Sequence, residues 1–198
     1  MASDYMTFAD LPVSILRPLT LPEVSAIVNA KRGTIARMIS SGFIPKSALT
    51  RPKKNSPRTA APLLKPIACP VAYFGLTTGR FLSEKMRHRM IREIGGIASG
   101  RCVNRPFEEG VLRIDLPKSI SETVLKMVDL AAAEANVVFD PEMRGGMPVL
   151  RGTRIGVYEI ADLSTVDPIH NILVNFPSLT EKHLEQAILY AKAHPLKA

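Results

Sequence analysis

Apolar residues near the N-terminus follow two short helical periods separated by a turn. The first period stands behind Thr20, a favourable N-cap residue, and one helical face carries Val24, Ile27 and Val28. After a polar break at residues 29–33, a second helix is expected from Thr34 to Gly42, with Ile35, Met38 and Ile39 facing inward. Two short helices joined by a tight turn predict a helix-turn-helix.

The middle of the chain alternates connectors with short periodic segments. Residues 60–80 are rich in proline and alanine and predict a turn-broken connector with an extended piece at 71–74. The remaining segments predict a helix at 83–94 that Ser83 caps and that Gly95 and Gly96 end, a strand at 111–116, and a helix at 119–135.

The stretch FDPEMRGGMPVLRGTRIGV, residues 139–157, concentrates residues that favour turns: four of the twelve glycines, two prolines and three arginines. Gly145 and Gly146 indicate a turn, residues 147–150 are expected to be extended, and Gly152 breaks that run. The simplest structure is a small β-hairpin or β-arm that leads into a helix. Three short helices are predicted, at 159–163, 168–175 and 180–194.

These elements predict a mainly α fold with short β-hairpins. An N-terminal winged helix-turn-helix domain with a supporting helix is expected at 1–100, followed by a connecting strand and helix at 101–136. The C-terminal domain, 137–198, is expected to be a small β-arm with three helices of helix-turn-helix-like character.

The distribution of charge separates the two halves of the chain. The net charge is +8, with 26 basic and 18 acidic residues among 198. Residues 24–83 contain no acidic residue but ten basic ones, whereas residues 140–198 contain six basic and seven acidic residues. This asymmetry predicts a polyanionic partner for the N-terminal half and a different partner for the C-terminal half.

Double-stranded DNA is the polyanion that a helix-turn-helix predicts, because its second helix lies in the major groove. The candidate contacts at the recognition helix and just after it are Lys31, Arg32, Thr34, Arg37 and Lys46. A wing would add phosphate contacts from the segment RPKKNSPR, namely Arg51, Lys53, Lys54 and Arg58. The alternative is a solvated basic loop on a helix pair that binds protein. A second basic run, Arg87, His88, Arg89 and Arg92, is interpreted as the solvated face of a core helix rather than as phosphate contacts.

Other classes of function lack the residues they need. No apolar run reaches the roughly 18 residues of a membrane span, and the N-terminus is not that of a secretory signal. Cys69 and Cys102 fit no metal or redox spacing, which favours a reducing cytoplasm. The four histidines show no metal-ligand spacing, and no glycine pair precedes a phosphate-loop lysine. The chain is therefore expected not to be an enzyme and to need no metal or cofactor.

The C-terminal third carries a recognisable motif. The sequence DPEMRGGMPVLRGTRI, followed by NFPSLTEKHLEQAILYAKAH, resembles the bacterial domain of unknown function 433, in which a hairpin P-V-[IL]-x-G-T-R-[IL] precedes a few short helices. The match covers residues 137–194 and departs at 164–168, where Ser-Thr-Val-Asp-Pro stands in place of a glycine-containing loop. The N-terminal pattern resembles MerR-like and excisionase-like winged helices.

The resemblance implies a role. Members of this family resemble VapB-type antitoxins, which are encoded beside a PIN-like ribonuclease toxin, and larger members carry an N-terminal helix-turn-helix. It implies an antitoxin that neutralises the toxin and binds operator DNA. A homodimer is expected, because one short recognition helix reads too few base pairs for specific affinity and a two-fold protein matches a palindromic site. Candidate toxin contacts are Arg144, Arg151 and Arg154, of which Arg154 is interpreted as structural and Arg151 is left open. The alternative is a stand-alone regulator whose C-terminal domain dimerises or senses a signal.

Overall fold

A computed structural model describes residues 7–8, 11, 13–50, 62–101, 105–142 and 144–196, without the side chains of Ile15 and Arg144. The chain divides into two compact units, Met1–Val128 and Asp129–Ala198, called here the N-terminal and C-terminal units. The described elements of the N-terminal unit are α1 (Leu21–Ile27), α2 (Arg32–Ser40), α3 (Ala68–Leu76), α4 (Glu84–Ala98), β1 (Phe107–Glu109), β2 (Leu112–Ile114) and most of α5 (Leu116–Ala135). Those of the C-terminal unit, beyond the end of α5, are β3 (Val137–Val138), β4 (Val149–Leu150), α6 (Val157–Leu163), α7 (Ile169–Asn175) and α8 (Glu181–Ala193).

The mainly helical fold with two small antiparallel two-stranded sheets agrees with the predicted mainly α fold with short β-hairpins. Phe107 lies opposite Ile114 in the first sheet, and Val137 lies opposite Leu150 in the second. No described helix combines the length and apolar character needed to cross a bilayer.

A buried carboxylate fixes the start of α1. Thr20 Oγ1 accepts a hydrogen bond from the Glu23 backbone N–H, and the Glu23 carboxylate accepts one from the Thr20 backbone N–H at 2.5 Å, which confirms Thr20 as N-cap. Glu23 is only 1% exposed and also accepts from Arg17 at 2.5 Å. Burial alone would raise the pKa of Glu23, but the hydrogen bonds from Arg17 and Thr20 and the charge of Arg17 together lower it. The carboxylate therefore stays ionised inside the unit.

The α2 and α3 helices touch at a glycine. A Cβ atom added at Gly75 would lie 2.5 Å from Met38 Cε and 2.5 Å from Phe43 Cε1. Only a residue without a side chain allows this approach, which positions α2 against the core. The largest fully buried side chains of this unit include Leu19, Ile35, Ile44, Leu64, Phe74, Met90 and Ile94.

Two predictions for the middle of the chain were wrong. Residues 71–74 are not extended but lie in α3, which is almost entirely buried. Periodicity cannot distinguish a buried helix from a buried strand in such a short apolar run. Gly95 and Gly96 do not end the preceding helix, because α4 continues to Ala98. Glycine lowers helix stability by only about 1 kcal/mol per residue, and the packing of the buried face exceeds that cost.

The true end of α4 is a Schellman motif. Gly100 adopts φ +70°, its N–H donates to Ile97 at 3.0 Å, and the Arg101 N–H donates to Gly96 at 2.9 Å. After this motif, β1 was not predicted from the sequence. The strand predicted at 111–116 is observed as β2, which is shorter. The α5 helix begins at Leu116 rather than at Ser119, with Asp115 accepting from the Lys118 N–H at 2.9 Å.

The C-terminal unit joins the short hairpin β3–β4 to three helices. The arm predicted at residues 139–157 is confirmed: β4 pairs with β3, and Val149 also forms an antiparallel bridge with Gly156 just before α6 begins at Val157. The Leu150 N–H donates to the Ile155 carbonyl at 3.0 Å. The Thr180 side chain caps α8 as predicted, accepting from the His183 N–H at 3.3 Å. The core of this unit consists of Ala133, Val137, Leu150, Val157, Ile160, Ile172, Leu179, Leu184, Ala187 and Tyr190.

We expect Gly75→Ala and Gly95→Ala to have opposite effects on stability. Neither glycine has a positive φ, but the new methyl group would clash with Met38 and Phe43 only at residue 75, whereas residue 95 has nothing within 4 Å. Overpacking should cost about 1–3 kcal/mol at residue 75. At residue 95, the gain in helix propensity should stabilise the protein by about 0.5–1 kcal/mol. Urea unfolding of both variants measures the difference, and equal midpoints would contradict the close approach.

Candidate functional site

The α2 helix exposes a face with cations at its edges and small residues between them. Arg32 and Arg37 are exposed, whereas Ile35 on the opposite side is fully buried. With 3.6 residues per turn, the exposed residues all fall on one side of the helix. They are Arg32, Gly33, Ala36, Arg37 and Ser40. This face is shallow, so another molecule can approach the backbone of α2 closely.

The structure separates the residues that the sequence grouped around α2. Lys31, Arg32, Arg37 and Lys46 are exposed. Thr34 is half-buried and, two residues after Arg32, lies on nearly the opposite side of the helix. Sequence reasoning selected cations and missed the small members of the exposed face, Gly33, Ala36 and Ser40. Their positions on a helical wheel that begins at Arg32 would have revealed them.

A tight turn sets the angle between α1 and α2. Asn29 adopts φ +49°, a left-handed conformation that asparagine tolerates better than most residues, and the Ala30 N–H donates to Ser25 at 2.9 Å. The α2 helix then begins at Arg32, two residues earlier than predicted. Arg32 therefore belongs to the first turn of the helix, directly after the N-cap residue Lys31.

Paired backbone segments bracket the predicted wing. Leu64 bridges both Leu19 and Leu49 in antiparallel fashion. The Thr50 N–H donates to Leu63 at 2.8 Å, and the Lys65 N–H donates to Ala48 at 2.8 Å. The chain therefore leaves this ladder at residue 50 and returns to it at residue 63. The intervening segment contains Arg51, Lys53, Lys54 and Arg58, which lie outside the described residues.

The only carboxylate close in sequence to this surface does not neutralise it. Residues 24–83 contain no acid, and the preceding Glu23 is buried and paired with Arg17. The exposed charges of α2 and of the turn after it are therefore all positive. A surface of this kind attracts polyanions over a Debye length of about 8 Å at physiological salt.

The hairpin motif of the C-terminal unit is a turn that presents one arginine. Gly152 has φ +76°, and Thr153 Oγ1 both donates to the Leu150 carbonyl at 2.9 Å and accepts from the Ile155 N–H at 3.1 Å. Glycine supplies the turn and threonine closes it. Arg154 follows directly on the surface, and it has no hydrogen bond or ion pair within the described ranges.

The two arginines of this turn differ from their sequence interpretation. Arg151, which the sequence left open, donates through Nε and Nη2 to the Ala135 carbonyl at 3.2 and 2.9 Å. It therefore satisfies the C-terminal end of α5, where the helix dipole favours a cation. Arg154, interpreted as structural, is exposed like Arg151 but pairs with neither Asp140 nor Glu142 in the described structure. The backbone of Arg144 lies in a tight turn.

We expect Arg151→Ala to destabilise the C-terminal unit and Arg154→Ala to leave its stability unchanged. Loss of the charged hydrogen bonds to Ala135 should cost about 1 kcal/mol, because the guanidinium is exposed. The matched Arg154 variant removes the same charge without a folded-state contact, so its change should stay within about 0.5 kcal/mol. Thermal unfolding of both variants checks this, and a larger loss for Arg154→Ala would assign it a structural contact.

Comparison with known proteins agrees with the C-terminal motif. Residues 137–191 match the family described as "Protein of unknown function (DUF433)", so this segment, from β3 to near the end of α8, is a DUF433 domain. A relative from Sinorhizobium fredii (strain NBRC 101917 / NGR234), "Uncharacterized protein y4eO", is 37% identical over 144 residues. The match covers 66% of this chain and 63% of the relative, so the chain spans less than two thirds of that protein. No solved structure matches the chain significantly.

Proposed function

We propose that this protein is a DNA-binding antitoxin, whose N-terminal unit binds operator DNA and whose C-terminal unit silences a PIN-like ribonuclease. The observation that carries the DNA-binding part is the shallow, basic face of α2 beside an antiparallel ladder, within a stretch free of acidic residues. An anionic groove as wide as an α-helix fits that face, and B-DNA provides one in its major groove.

In this proposal α1 and α2 act as a helix-turn-helix, with α2 in the major groove. Arg32 and Arg37 would reach guanine edges, to which arginine donates two hydrogen bonds, and the methyl group of Ala36 would meet a thymine methyl. Small residues at the centre of the face support this arrangement, because they let the backbone approach the bases. The segment 51–61 would contact phosphates, which position the protein without reading sequence.

A homodimer follows from the size of this interface. Two turns of α2 read only a few base pairs, which gives too little specific affinity for one operator in a genome. Two copies on a palindromic site double the contacts and match the symmetry of the DNA. We place this activity in the cytoplasm, where operator DNA and the ribonuclease would both be found.

The toxin-silencing part rests on the DUF433 domain and on Arg154. Gly152 and Thr153 present an arginine without an internal partner in the described structure, on a unit with six basic and nine acidic residues. PIN-like ribonucleases hold a divalent metal with clustered carboxylates, and a guanidinium binds a carboxylate through two parallel hydrogen bonds. Arg154 would therefore enter or distort such a cluster.

We expect Arg37→Ala to lower the affinity for a selected operator by about 1–3 kcal/mol and to relax base preference at one position. Thr34→Ala should change it little, because Thr34 lies away from the exposed face. Replacing Lys53 and Lys54 by glutamine should weaken binding to all sequences and flatten the salt dependence by about 0.9 per lost phosphate contact. Selection from random duplexes, followed by fluorescence anisotropy over a range of salt, measures all three.

Arg113→Ala is the control for charge alone, since Arg113 lies on β2 and pairs with Glu108. If Arg37→Ala and Arg113→Ala bind the operator equally well, the assignment of α2 as the recognition helix is wrong.

The antitoxin role is tested by growth. Expression of the adjacent small reading frame in a naive host should stop growth, and co-expression of this chain should restore it. Arg154→Ala should lose rescue while remaining folded, whereas Lys192→Ala, which removes another exposed cation from the same unit, should rescue fully. A harmless neighbour, or a chain that fails to rescue, would instead favour a stand-alone regulator.

A further inference from the structure

The exposed face of α4 carries a continuous row of basic residues. Lys85, His88, Arg89 and Arg92 are spaced i, i+3, i+4 and i+7 and are all exposed, so they lie on one side of the helix. The opposite side packs into the core through Met90 and Ile94. The helix rises about 10 Å between Lys85 and Arg92, which spans about three base-pair steps of a DNA duplex.

Among the described residues, an acidic side chain pairs with only one of these cations. Arg89 pairs with Glu109 at 2.6 Å and lies over the Phe107 ring, 4.7 Å from its centroid, so it holds the β1–β2 hairpin against α4. Lys85 and Arg92 have no ion pair within the described part of the chain. Like charges one turn apart destabilise a helix by a few tenths of a kcal/mol per pair. An external anion bound along this row would remove that repulsion.

An exposed aromatic residue precedes the row of basic residues in the chain. Phe81 is 75% exposed, and the Arg80 guanidinium lies 4.6 Å above the centroid of its ring. Phe81 lies two residues before Ser83, which caps α4, so it directly precedes the first turn of the helix in the chain. An aromatic ring and an arginine beside aligned cations are the two components that nucleic-acid surfaces combine: one contacts bases and the other binds phosphates.

We propose that Arg80, Phe81, Lys85 and Arg92 form a second surface for duplex DNA, separate from α2. The cations bind backbone phosphates spaced along the duplex, and the Phe81 ring enters a base step from the minor groove, where apolar wedges unstack and kink the duplex. This inference rests on the proposed DNA-binding function for its choice of duplex DNA over other polyanions. It differs from the sequence interpretation, in which the basic run was only a solvated face, because Arg80 and Phe81 extend the row beyond α4.

The test compares two doubly substituted chains of equal net charge on a duplex of random sequence. Lys85→Gln with Arg92→Gln should flatten the dependence of log Kd on log salt by about 1.8, which corresponds to two phosphate contacts. Arg113→Gln with Lys118→Gln removes two exposed cations from the same unit and should leave the slope unchanged. Equal slopes for the two chains overturn the second surface.

Phe81 is tested separately because it carries no charge. Phe81→Ala should weaken binding several-fold without changing the salt slope and should reduce the bend of the bound duplex, measured by energy transfer between labelled DNA ends. Phe81→Leu, which retains an apolar wedge, should restore the bend. An unchanged bend in Phe81→Ala overturns the wedge.

Failure of this inference is distinguishable from failure of the proposed function. If Arg37→Ala loses operator preference while the Lys85/Arg92 chain keeps its slope, only the second surface is wrong. If the Lys85/Arg92 slope falls while Arg37→Ala keeps its preference, the second surface stands and α2 loses its role. No duplex binding by the unaltered chain, preference for single strands, or Lys85/Arg92-dependent binding to anionic phospholipid vesicles without duplex binding each overturns the inference.

Discussion

The contact between the Gly75 backbone and the side chains of Met38 and Phe43 determines which surface of the N-terminal unit is exposed. A helix as short as α2 is not stable alone, so its orientation depends on what it packs against. Because α3 approaches without an intervening side chain, Ile35 and Met38 turn inward and Arg32 and Arg37 turn outward. The basic face is therefore a product of close packing on the other side of the helix. Whether a cation of α2 faces outward is therefore decided by the packing of α2 on α3 and not by its charge alone.

The sequence predicted correctly the helix beginnings that a hydroxyl side chain caps. Thr20, Ser83 and Thr180 each cap a helix, because a hydroxyl that accepts from a free N–H acts locally and leaves a local signal. The end of α4 depends on packing. Gly95 and Gly96 resemble a stop signal, but Gly96 is buried, and the helix continues to a Schellman motif at Gly100. The apolar run of α3 was predicted as extended for a related reason. A helix that is apolar on every side shows no helical period in its sequence.

The site residues show the same division between local and long-range information. The motif Gly152-Thr153-Arg154 was recognisable because its geometry is local: a positive φ, a hydroxyl that closes the turn, and the residue presented after it. The roles of Arg151 and Arg154 were not, because the partner of Arg151 is a carbonyl at the end of α5, sixteen residues earlier in the chain. Likewise, Thr34 carries a suitable hydroxyl but lies on the wrong side of α2, which only the true start of the helix at Arg32 reveals.

The backbone pairing of Leu64 affects how the sequence of such a protein can evolve. Its backbone pairs with Leu19, just before α1, and with Leu49, after α2, so both ends of the segment 51–61 are fixed by hydrogen bonds that do not involve the segment itself. Each doubling of a loop costs only about 0.6 kcal/mol in closure entropy. Insertions and substitutions between residues 51 and 61 can therefore accumulate without unfolding the helices. Under the proposed function, the strength of attachment to DNA and the stability of the fold can then be selected independently.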